Sequence, residues 1–348
     1  MIEIIINLII IMNLTCPTNG KDYIMPTKHW LKPLQEIIST DIATLQSKLI
    51  LSEIINDKIG KQEILVKLTS GRNHMIREFT SKIKGMPNLV NTYCVLLCND
   101  DFLLVDKEKQ FCNLENIDDK NKIKLLGSLP KKSKNYNYSV TLELMEFYKK
   151  GSIASIKNIS LKDFSVIFFQ LVFCQLNLFA HCGYTHNDIH DGNILIKKHP
   201  KNVILDYEYI TSDCIETNKE YKLNVSREYI LSDYDKMYSF EYKYFIHEFE
   251  YLIKLGYDVE DIEFIKYSLY SNILSTINLL KSKMNKEDKI RIENILLNIQ
   301  TKYEDKIISN IRTFIVEYYE SRNFNQFKKK IKLDVCMFLK KFLKKFNK

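Results

Sequence analysis

The sequence is poor in the residues that interrupt regular structure, with 9 glycines, 6 prolines and a single tryptophan in 348 residues. This scarcity excludes a collagen-like chain and argues against a disordered, linker-rich one, because both classes are rich in glycine or proline. Apolar residues make up 45% of the chain and charged residues 27%. That balance is typical of an ordered globular protein with one large domain or two lobes.

The eight cysteines form no C-x-x-C pair and no disulfide-framework spacing. Several lie in apolar runs, where a free thiol behaves as a small hydrophobe, so a reduced cytosolic compartment is expected. The N-terminal run MIEIIINLIIIM is shorter than the roughly 20 residues that span a bilayer. Its first charge is Glu3, and no small-x-small cleavage site follows closely. We predict that 1–29 is an extension without a transmembrane segment, either a buried strand or residues upstream of a start at Met12 or Met25.

The formal charge of +8 is concentrated at the C-terminus, where 328–348 carries nine lysines against one acid, Asp334. We expect a basic terminal helix whose apolar side chains pack on the body and whose lysines face water. A surface for phosphate-rich partners or an anionic membrane is the alternative. The predicted apolar stripe consists of Ile331, Val335, Phe338, Leu339 and Phe342.

The first half of the chain is predicted to be β-rich with one helix. Between 30 and 70, the runs LQSKLILSEIIN and KQEILVKLT are separated by the turn-like NDKIGK. Residues 71–85 have apolar residues near helical spacing. LVNTYCVLLCN, DFLLVD and SVTLELMEF then predict three more strands, with a charged, exposed insertion at about 106–138.

The second half changes character at 161, where LKDFSVIFFQLVFCQLNLFAHCG predicts a long buried helix. A polar loop, H-N-D-I-H-D-G-N at 186–193, follows it. The strand ILI, a turn at KKHPKN and the strand VILDYEYI are predicted next, and 233–345 has mainly helical patterns. The fold class is therefore α+β.

The polar loop carries the chemistry. Asp188 and Asn193 are five residues apart between a buried helix and a strand, and a tight hairpin would bring Asp206 back beside them. A carboxylate and an amide that converge suit Mg²⁺, which prefers oxygen ligands and shares them with substrate phosphates. Asp188 would then be available to accept the proton of an attacking hydroxyl. Positioning, charge neutralisation and a base are what phosphoryl transfer requires.

H-N-D-I-H-D-G-N resembles the catalytic loop of the protein kinase superfamily, and L-D-Y-E at 205–208 resembles its metal-binding D-F-G. Lys67 in EILVKL resembles the lysine that holds the α- and β-phosphates of ATP. Glu78 resembles the ion-pair partner of that lysine, and MPNLVNTY resembles the segment after the helix that carries the glutamate. By this resemblance Asp188 is the base, and Asn193 and Asp206 hold Mg²⁺.

LELMEFYKKGSI resembles the hinge of the same family. The resemblance implies that Met145 is the gatekeeper and that the backbone of Glu146 and Tyr148 faces adenine. It gives His186 a structural place under the loop, and Asp235 resembles the aspartate that anchors the loop from the next helix. A metal site made of His186 and His190 is not expected, because no H-E-x-x-H or C-x-x-C accompanies the pair.

The resemblance implies a bilobal kinase-like fold, with a β-rich N-lobe that contains one main helix and a mostly helical C-lobe. The expected boundaries are 30–147 for the N-lobe and 148–327 for the C-lobe, flanked by the N-terminal extension and the basic helix 328–348.

The sequence departs from the family's pattern in four places. No glycine-rich loop is visible before Lys67, where Ser39, Thr40 and Thr44 are candidates to close over phosphates instead. Asn187 replaces the arginine of H-R-D, which reads a phosphate on the activation loop, so activation by loop phosphorylation is not expected.

The third departure is D-Y-E in place of D-F-G, with no A-P-E after it. The fourth is His190, which stands where many kinases have a lysine that touches the γ-phosphate. Histidine can donate a hydrogen bond there but is a weaker cation near neutral pH. D-Y-x, H-D-G-N and the missing A-P-E together resemble haspin-like and other atypical kinases, including those of large DNA viruses.

The resemblance implies ATP- and Mg²⁺-dependent phosphorylation of protein serine or threonine hydroxyls in the cytoplasm, which is the host cytoplasm or the virion if the source is viral. His190 would be among the ATP-binding residues, and no specific nucleic-acid partner is predicted. Two alternatives stay open: a choline- or aminoglycoside-kinase-like phosphotransferase, because the H-x-D-x-H-x-x-N pattern occurs there too, and a pseudokinase scaffold, because of the missing glycines.

Overall fold

The structure is a computed structural model. It describes residues 31–37, 47–56, 60–70, 79–80, 82–83, 85–98, 140–207, 222–234, 236–241, 245, 249–251, 254–255 and 268–346. The chain divides into two compact units: Met1–Lys84 with Val90–Phe147, and Gly85–Leu89 with Tyr148–Lys348.

The first unit contains a five-stranded antiparallel sheet in the order β1-β2-β3-β5-β4. Alternating apolar residues account for β3, where Ile64 and Val66 are fully buried and Glu63 is exposed. Pro33 lies in the edge strand, where the register shifts and a missing N–H is tolerated. The strands are β1 (Leu31–Ile37), β2 (Ser47–Asn56), β3 (Gly60–Ser70), β4 (Thr92–Cys98) and β5 (Val140–Glu146).

The predicted strands around 47–70, 90–99 and 139–147 are confirmed. The predicted helix at 71–85 is described only around Phe79 and Ile83, which are buried. The insertion at 106–138, the strand DFLLVD, the residues proposed to replace the glycine-rich loop and the extension 1–29 lie outside the described residues.

The second unit is built around α1 (Leu161–Cys182). Ser160 caps its first turn by accepting the Asp163 N–H at 3.1 Å. Gly183 ends the helix with φ of 71°, and a side chain at this position would collide with the Phe324 ring. Both the backbone conformation and the lack of space therefore require glycine. By length and hydropathy α1 could cross a membrane, but 72% of that apolar window is buried within the protein, as expected of a core helix.

The described part of the second unit has three further long helices, α2 (Leu269–Ser282), α3 (Lys286–Ser321) and α4 (Phe324–Phe346). Helices α2 and α4 pack on α1, and α3 packs on α4 and α2. Phe346 and Phe342 of α4 pack on Phe164 and Phe168 of α1, with ring centroids 5.5 and 5.3 Å apart. All five residues of the predicted apolar stripe in α4 are buried. The basic terminal helix is thus present and docked on the core, and it begins at Phe324 rather than at 328.

A long antiparallel ribbon of β7 (Ile194–Asp206) and β8 (Lys222–Leu231) corrects the sequence prediction for this region. Two strands separated by a turn at 197–202 were expected, but the chain runs as one strand with a register irregularity between Lys198 and Val203. Strand β8 was not predicted. The short strands β6 (Tyr184–Thr185) and β9 (Tyr238–Ser239) pair with each other beside the ribbon.

Asn88, in the segment Gly85–Leu89, is fully buried in the second unit, and its polar groups are satisfied there. Its side-chain NH₂ donates to Gln170 of α1 at 2.9 Å and to the Tyr229 carbonyl at 3.0 Å, and its Oδ1 accepts the Tyr207 hydroxyl. Its backbone N–H donates to Glu228 at 3.0 Å. Its φ of 62° is a left-handed conformation that asparagine tolerates.

The cysteines only partly match expectation. Cys174 and Cys182 are buried thiols outside any disulfide, and burial raises the pKa of Cys174. Cys336 is disulfide-bonded, which the cysteine spacing did not predict.

Candidate active site

The polar loop lies between β6 and β7. It ends in a single 3₁₀ turn, Asp191–Asn193, that leads into the ribbon. His190 caps this turn, because its Nδ1 accepts the Gly192 N–H at 3.2 Å. Lys283 binds Asp191 from outside the loop at 2.8 Å and is the main cause of the lowered pKa of that carboxyl. The loop is therefore held at its C-terminal end by caps and charge.

Asp188 and Asn193 meet within the polar loop. The Asn193 side-chain NH₂ donates to the Asp188 carbonyl at 3.0 Å and to Asp188 Oδ2 at 3.2 Å. The amide oxygen of Asn193 therefore lies on the side of the amide group that faces away from Asp188. A carboxylate and an amide oxygen are thus presented by one short, fixed loop.

His186 lies under the loop in a defined protonation state. It is fully buried, and burial is the main reason that its pKa falls to about 4. One ring nitrogen, Nε2, lies 2.9 Å from the Ser232 carbonyl, while Nδ1 accepts the Asp188 N–H at 3.4 Å. Since a carbonyl only accepts and an N–H only donates, the ring is neutral with its proton on Nε2. The structural place predicted for His186 agrees with these contacts.

Asn187 is anchored by Asn272 of α2. Its backbone N–H donates to Asn272 Oδ1 at 2.7 Å, and the Asn272 NH₂ donates back to Asn187 Oδ1 at 2.6 Å. Asn187 has φ of 59°, so the loop turns here through a left-handed residue. The sequence assigned the anchoring role to Asp235, which lies outside the described residues. Asn272 was missed because an asparagine within an apolar helix gives no distinctive pattern.

Asp206, the predicted metal ligand, lies at the other end of β7 from Asn193. The ladder pairs Asp206 with Lys222, whereas Ile194, the residue after Asn193, pairs with Leu231. The Asp206 carboxylate is 45% exposed and lies 3.4 Å from Lys222 Nζ. Among the described residues, no hydrogen bond or ion pair connects Asp206 with Asp188 or Asn193.

A different aspartate, Asp233, follows the end of β8 beside the loop. Ser232 binds the Asn193 carbonyl twice, through its N–H at 2.9 Å and its hydroxyl at 3.1 Å. Asp233 comes next, with φ of 63°, and its charge acts on the buried His186. Sequence reasoning used S-D-Y-D only for Asp235 and assigned no role to Asp233, although an aspartate after a strand was the signal used for L-D-Y-E.

Lys236 also reaches the loop. Its Nζ lies 2.8 Å from Asp188 Oδ1, and its side chain is 62% exposed while that of Asp188 is 17% exposed. Tyr234 fixes the backbone nearby, because its buried hydroxyl donates to the Leu231 carbonyl at 3.1 Å and its ring packs edge-on against His186. No sequence signal pointed to Lys236.

In the first unit, Lys67 is buried in β3 directly opposite Glu143 of β5, which is buried too. Residues opposite each other in a ladder share a face, so this lysine and this carboxylate are neighbours. Met145 is buried, and the Glu146 N–H donates to the Asn91 carbonyl at 2.9 Å. Glu78 lies outside the described residues.

In the second unit, Tyr148 is buried, and its carbonyl accepts the Gly151 N–H at 3.0 Å. Within the described part of the chain, no group of three or more His, Cys, Asp or Glu side chains is placed to hold a metal ion. A metal at the loop would therefore use amide and phosphate oxygens in addition to a carboxylate.

No protein-family model matches the chain, and no curated protein matches it. Among solved structures, the chain is similar to the kinase PK-1 of Cydia pomonella granulovirus, with 12% identity and a TM-score of 0.32. The match covers 60% of this chain and 53% of that one, so it spans about half of the viral kinase structure.

Proposed function

We propose that this protein is an ATP- and Mg²⁺-dependent phosphotransferase of the protein-kinase type that phosphorylates serine or threonine hydroxyls of proteins. The observation that carries the proposal is the contact of Asp188 with Asn193 on a loop held by a buried, neutral histidine. A carboxylate fixed beside an amide suits a base next to a phosphate-bound metal.

In the proposed reaction, Asp188 orients the substrate hydroxyl and accepts its proton. The hydroxyl oxygen forms a bond to the γ-phosphorus, the bond from that phosphorus to the β–γ bridging oxygen breaks, and ADP leaves with the electron pair. Asn193 keeps the Asp188 carboxylate oriented, because its NH₂ holds Oδ2. The neutral His186 supports the backbone of Asp188 from below.

The donor set fits Mg²⁺, since Asn193 turns its NH₂ toward Asp188 and so presents an oxygen on its other side. We assign the carboxylate ligand to Asp233, because Ser232 fastens the start of that segment to Asn193. Asp206, the ligand expected from the sequence, is the alternative. When bound, Mg²⁺ would neutralise charge on the β- and γ-phosphates.

ATP binding is assigned to Lys67 for the α- and β-phosphates, with Glu78 as its partner and His190 near the γ-phosphate. Met145, Glu146 and Tyr148 are the proposed adenine-facing residues. Lys67 is buried beside Glu143. A buried ammonium needs a carboxylate or a phosphate near it, which supports a specific binding role for this lysine.

Activity is proposed to be independent of activation-loop phosphorylation. Asn187 stands where a phosphate-reading arginine would be, and Asn272 already holds its backbone and side chain. The protein is proposed to act in the cytoplasm, which supplies ATP, and the lysines of α4 are a proposed contact for anionic surfaces.

The test is transfer from radiolabelled ATP to a peptide library, with choline and an aminoglycoside as competing acceptors. Asp188→Asn should abolish transfer. Asp233→Asn should lower it by about 100-fold or more, while Asp206→Asn should leave it nearly unchanged. Asparagine keeps the left-handed backbone at 233 accessible, so this variant removes charge alone.

Each outcome separates the candidate functions. Labelling of choline or the aminoglycoside alone would replace the proposal with a small-molecule phosphotransferase. No transfer and no ATP-induced rise in melting temperature would indicate a pseudokinase. Loss of activity in Asp206→Asn with full activity in Asp233→Asn would restore the sequence-based metal ligand.

A further inference from the structure

In many kinases the loop position of His190 holds a lysine that supplies a cation to the γ-phosphate. Here both ring nitrogens of His190 already have neighbours in the loop. His190 uses Nδ1 to cap the 3₁₀ turn, and its Nε2 lies 3.8 Å from Asp188 Oδ2. Rotation of the ring toward a phosphate would break the cap on Gly192. The catalytic loop therefore lacks an independent point charge for the transferred phosphoryl group.

Lys236 brings such a charge from the segment after β8. Its Nζ is 2.8 Å from Asp188 Oδ1. The backbone around it is fixed, because Ser232 binds Asn193, the Tyr234 hydroxyl binds the Leu231 carbonyl, and the Met237 N–H binds the Tyr234 carbonyl at 3.1 Å. The exposed side chain of Lys236 thus projects from a fixed backbone.

Both carboxylate oxygens of Asp188 are engaged in this state. Asn193 donates to Oδ2 and Lys236 donates to Oδ1. A substrate hydroxyl that gives its proton to Asp188 must hydrogen-bond one of these oxygens, where it shares the oxygen with the present partner or displaces that partner.

Lys236 is the partner that can leave at low cost. Asn193 is 7% exposed and bound to the backbone of the loop at several points. Lys236 is 62% exposed, and an ion pair at such exposure is weak because water screens the two charges. An incoming hydroxyl can therefore displace it.

The displaced ammonium stays within reach of the reaction. A hydroxyl bound to Asp188 places its oxygen about 3–3.5 Å from the phosphorus that it attacks. A lysine that rested on the same carboxylate needs only a change of rotamer to contact an oxygen of that phosphoryl group. A flexible ammonium with three donors is suited to this contact.

We propose that Lys236 is the phosphate-binding cation of the transfer step, which caps the base Asp188 in the resting enzyme and moves to the transferred phosphoryl group when substrate binds. The inference rests on the proposed function, and it assigns to the segment after β8 a role that position 190 has in many kinases.

The test compares Lys236→Ala and Lys236→Arg with a control, Lys281→Ala. Lys281 makes an ion pair with Glu293, at 3.5 Å, that involves no residue of the polar loop. Lys236→Ala should lower kcat by about 100-fold, as expected when one donor to a developing charge is removed, and Lys236→Arg should recover part of the loss. Lys281→Ala should keep wild-type kcat.

Calorimetric binding of ADP·Mg²⁺, with and without aluminium fluoride as a mimic of the transferred phosphoryl group, gives the second readout. Lys236→Ala should bind ADP like the wild type and lose affinity only for the aluminium fluoride complex. Equal weakening of both complexes, or an unchanged kcat, would overturn the role of Lys236 while transfer by the wild type upholds the proposed function. A wild-type protein without ATP-dependent transfer would overturn both.

Discussion

Asn187 and Asn272 bind each other through two hydrogen bonds, at 2.7 and 2.6 Å, that join the polar loop to α2. Asn272 is 3% exposed, so its amide has been removed from water and depends on these partners. This contact between two neutral residues therefore fixes the first part of the loop on α2.

Removal of this contact should destabilise the loop. Asn272→Ala leaves the partly buried Asn187 N–H without its acceptor, which should cost about 1 kcal/mol or more in urea unfolding. Asn187→Gly keeps the backbone donor and suits φ of 59°, so its cost should be smaller. Equal costs for the two variants would show that the backbone bond contributes nothing.

Dephosphorylated protein should keep its activity. Because Asn187 is held by Asn272 and not by a phosphate, phosphatase treatment should leave the rate of peptide phosphorylation unchanged. The measurement is kcat before and after treatment, with complete dephosphorylation verified by mass spectrometry. Loss of full activity on treatment would contradict this prediction.

His186 should make the fold sensitive to acid. Its pKa is about 4 when folded and about 6.5 when unfolded. The unfolded state therefore binds the proton first, so stability is complete above pH 6.5 and falls as the pH drops toward 4. When His186 is protonated in the unfolded state but neutral in the folded state, the free energy of unfolding is lower by about 3 kcal/mol.

The measurement is the free energy of unfolding at several pH values between 7 and 4. His186→Gln is the matched control, because its side-chain NH₂ can donate to the Ser232 carbonyl but does not titrate. The variant should lose less stability than the wild type across this range. Parallel pH profiles would show that other groups cause the acid sensitivity.

The hydroxyl of Tyr207 should stabilise the second unit. Tyr207→Phe leaves the buried Asn88 Oδ1 without its donor, at an expected cost of about 1–3 kcal/mol. Tyr234→Phe is the comparison, because it also removes a buried hydroxyl, but from a backbone carbonyl at a strand end. A smaller cost for Tyr207→Phe than for Tyr234→Phe would contradict the importance of the Asn88 site.

Burial raises the pKa of Tyr207, so its phenol should not ionise in the native protein at alkaline pH.

The sequence predicted the parts of the fold that have strong local patterns. The strands β2, β3 and β5, the core helix α1 and the apolar stripe of α4 follow from periodicity, because burial of one face repeats along each element. The meeting of Asp188 with Asn193 follows from their spacing on one loop. These contacts are local, and local patterns carry enough information for them.

The contacts that were missed depend on pairing between distant segments. The continuous run of β7 separates Asp206 from Asn193. The register of β8 against β7 brings Asp233 near Asn193, and no local pattern sets that register. Asn272 is 85 residues from Asn187. In the sequence, Lys236 has no pattern that separates it from other surface lysines. Only its 2.8 Å distance from Asp188 in the structure distinguishes it.

The packing of α4 on α1 has a consequence for synthesis of the protein. The rings of Phe164 and Phe168 are covered by Phe346 and Phe342, which are translated some 180 residues later. Until those residues leave the ribosome, α1, the most apolar of the described helices, has part of its surface uncovered. The second unit therefore completes this part of its core only after α4 has been translated, and the nascent chain is expected to be a chaperone client until then.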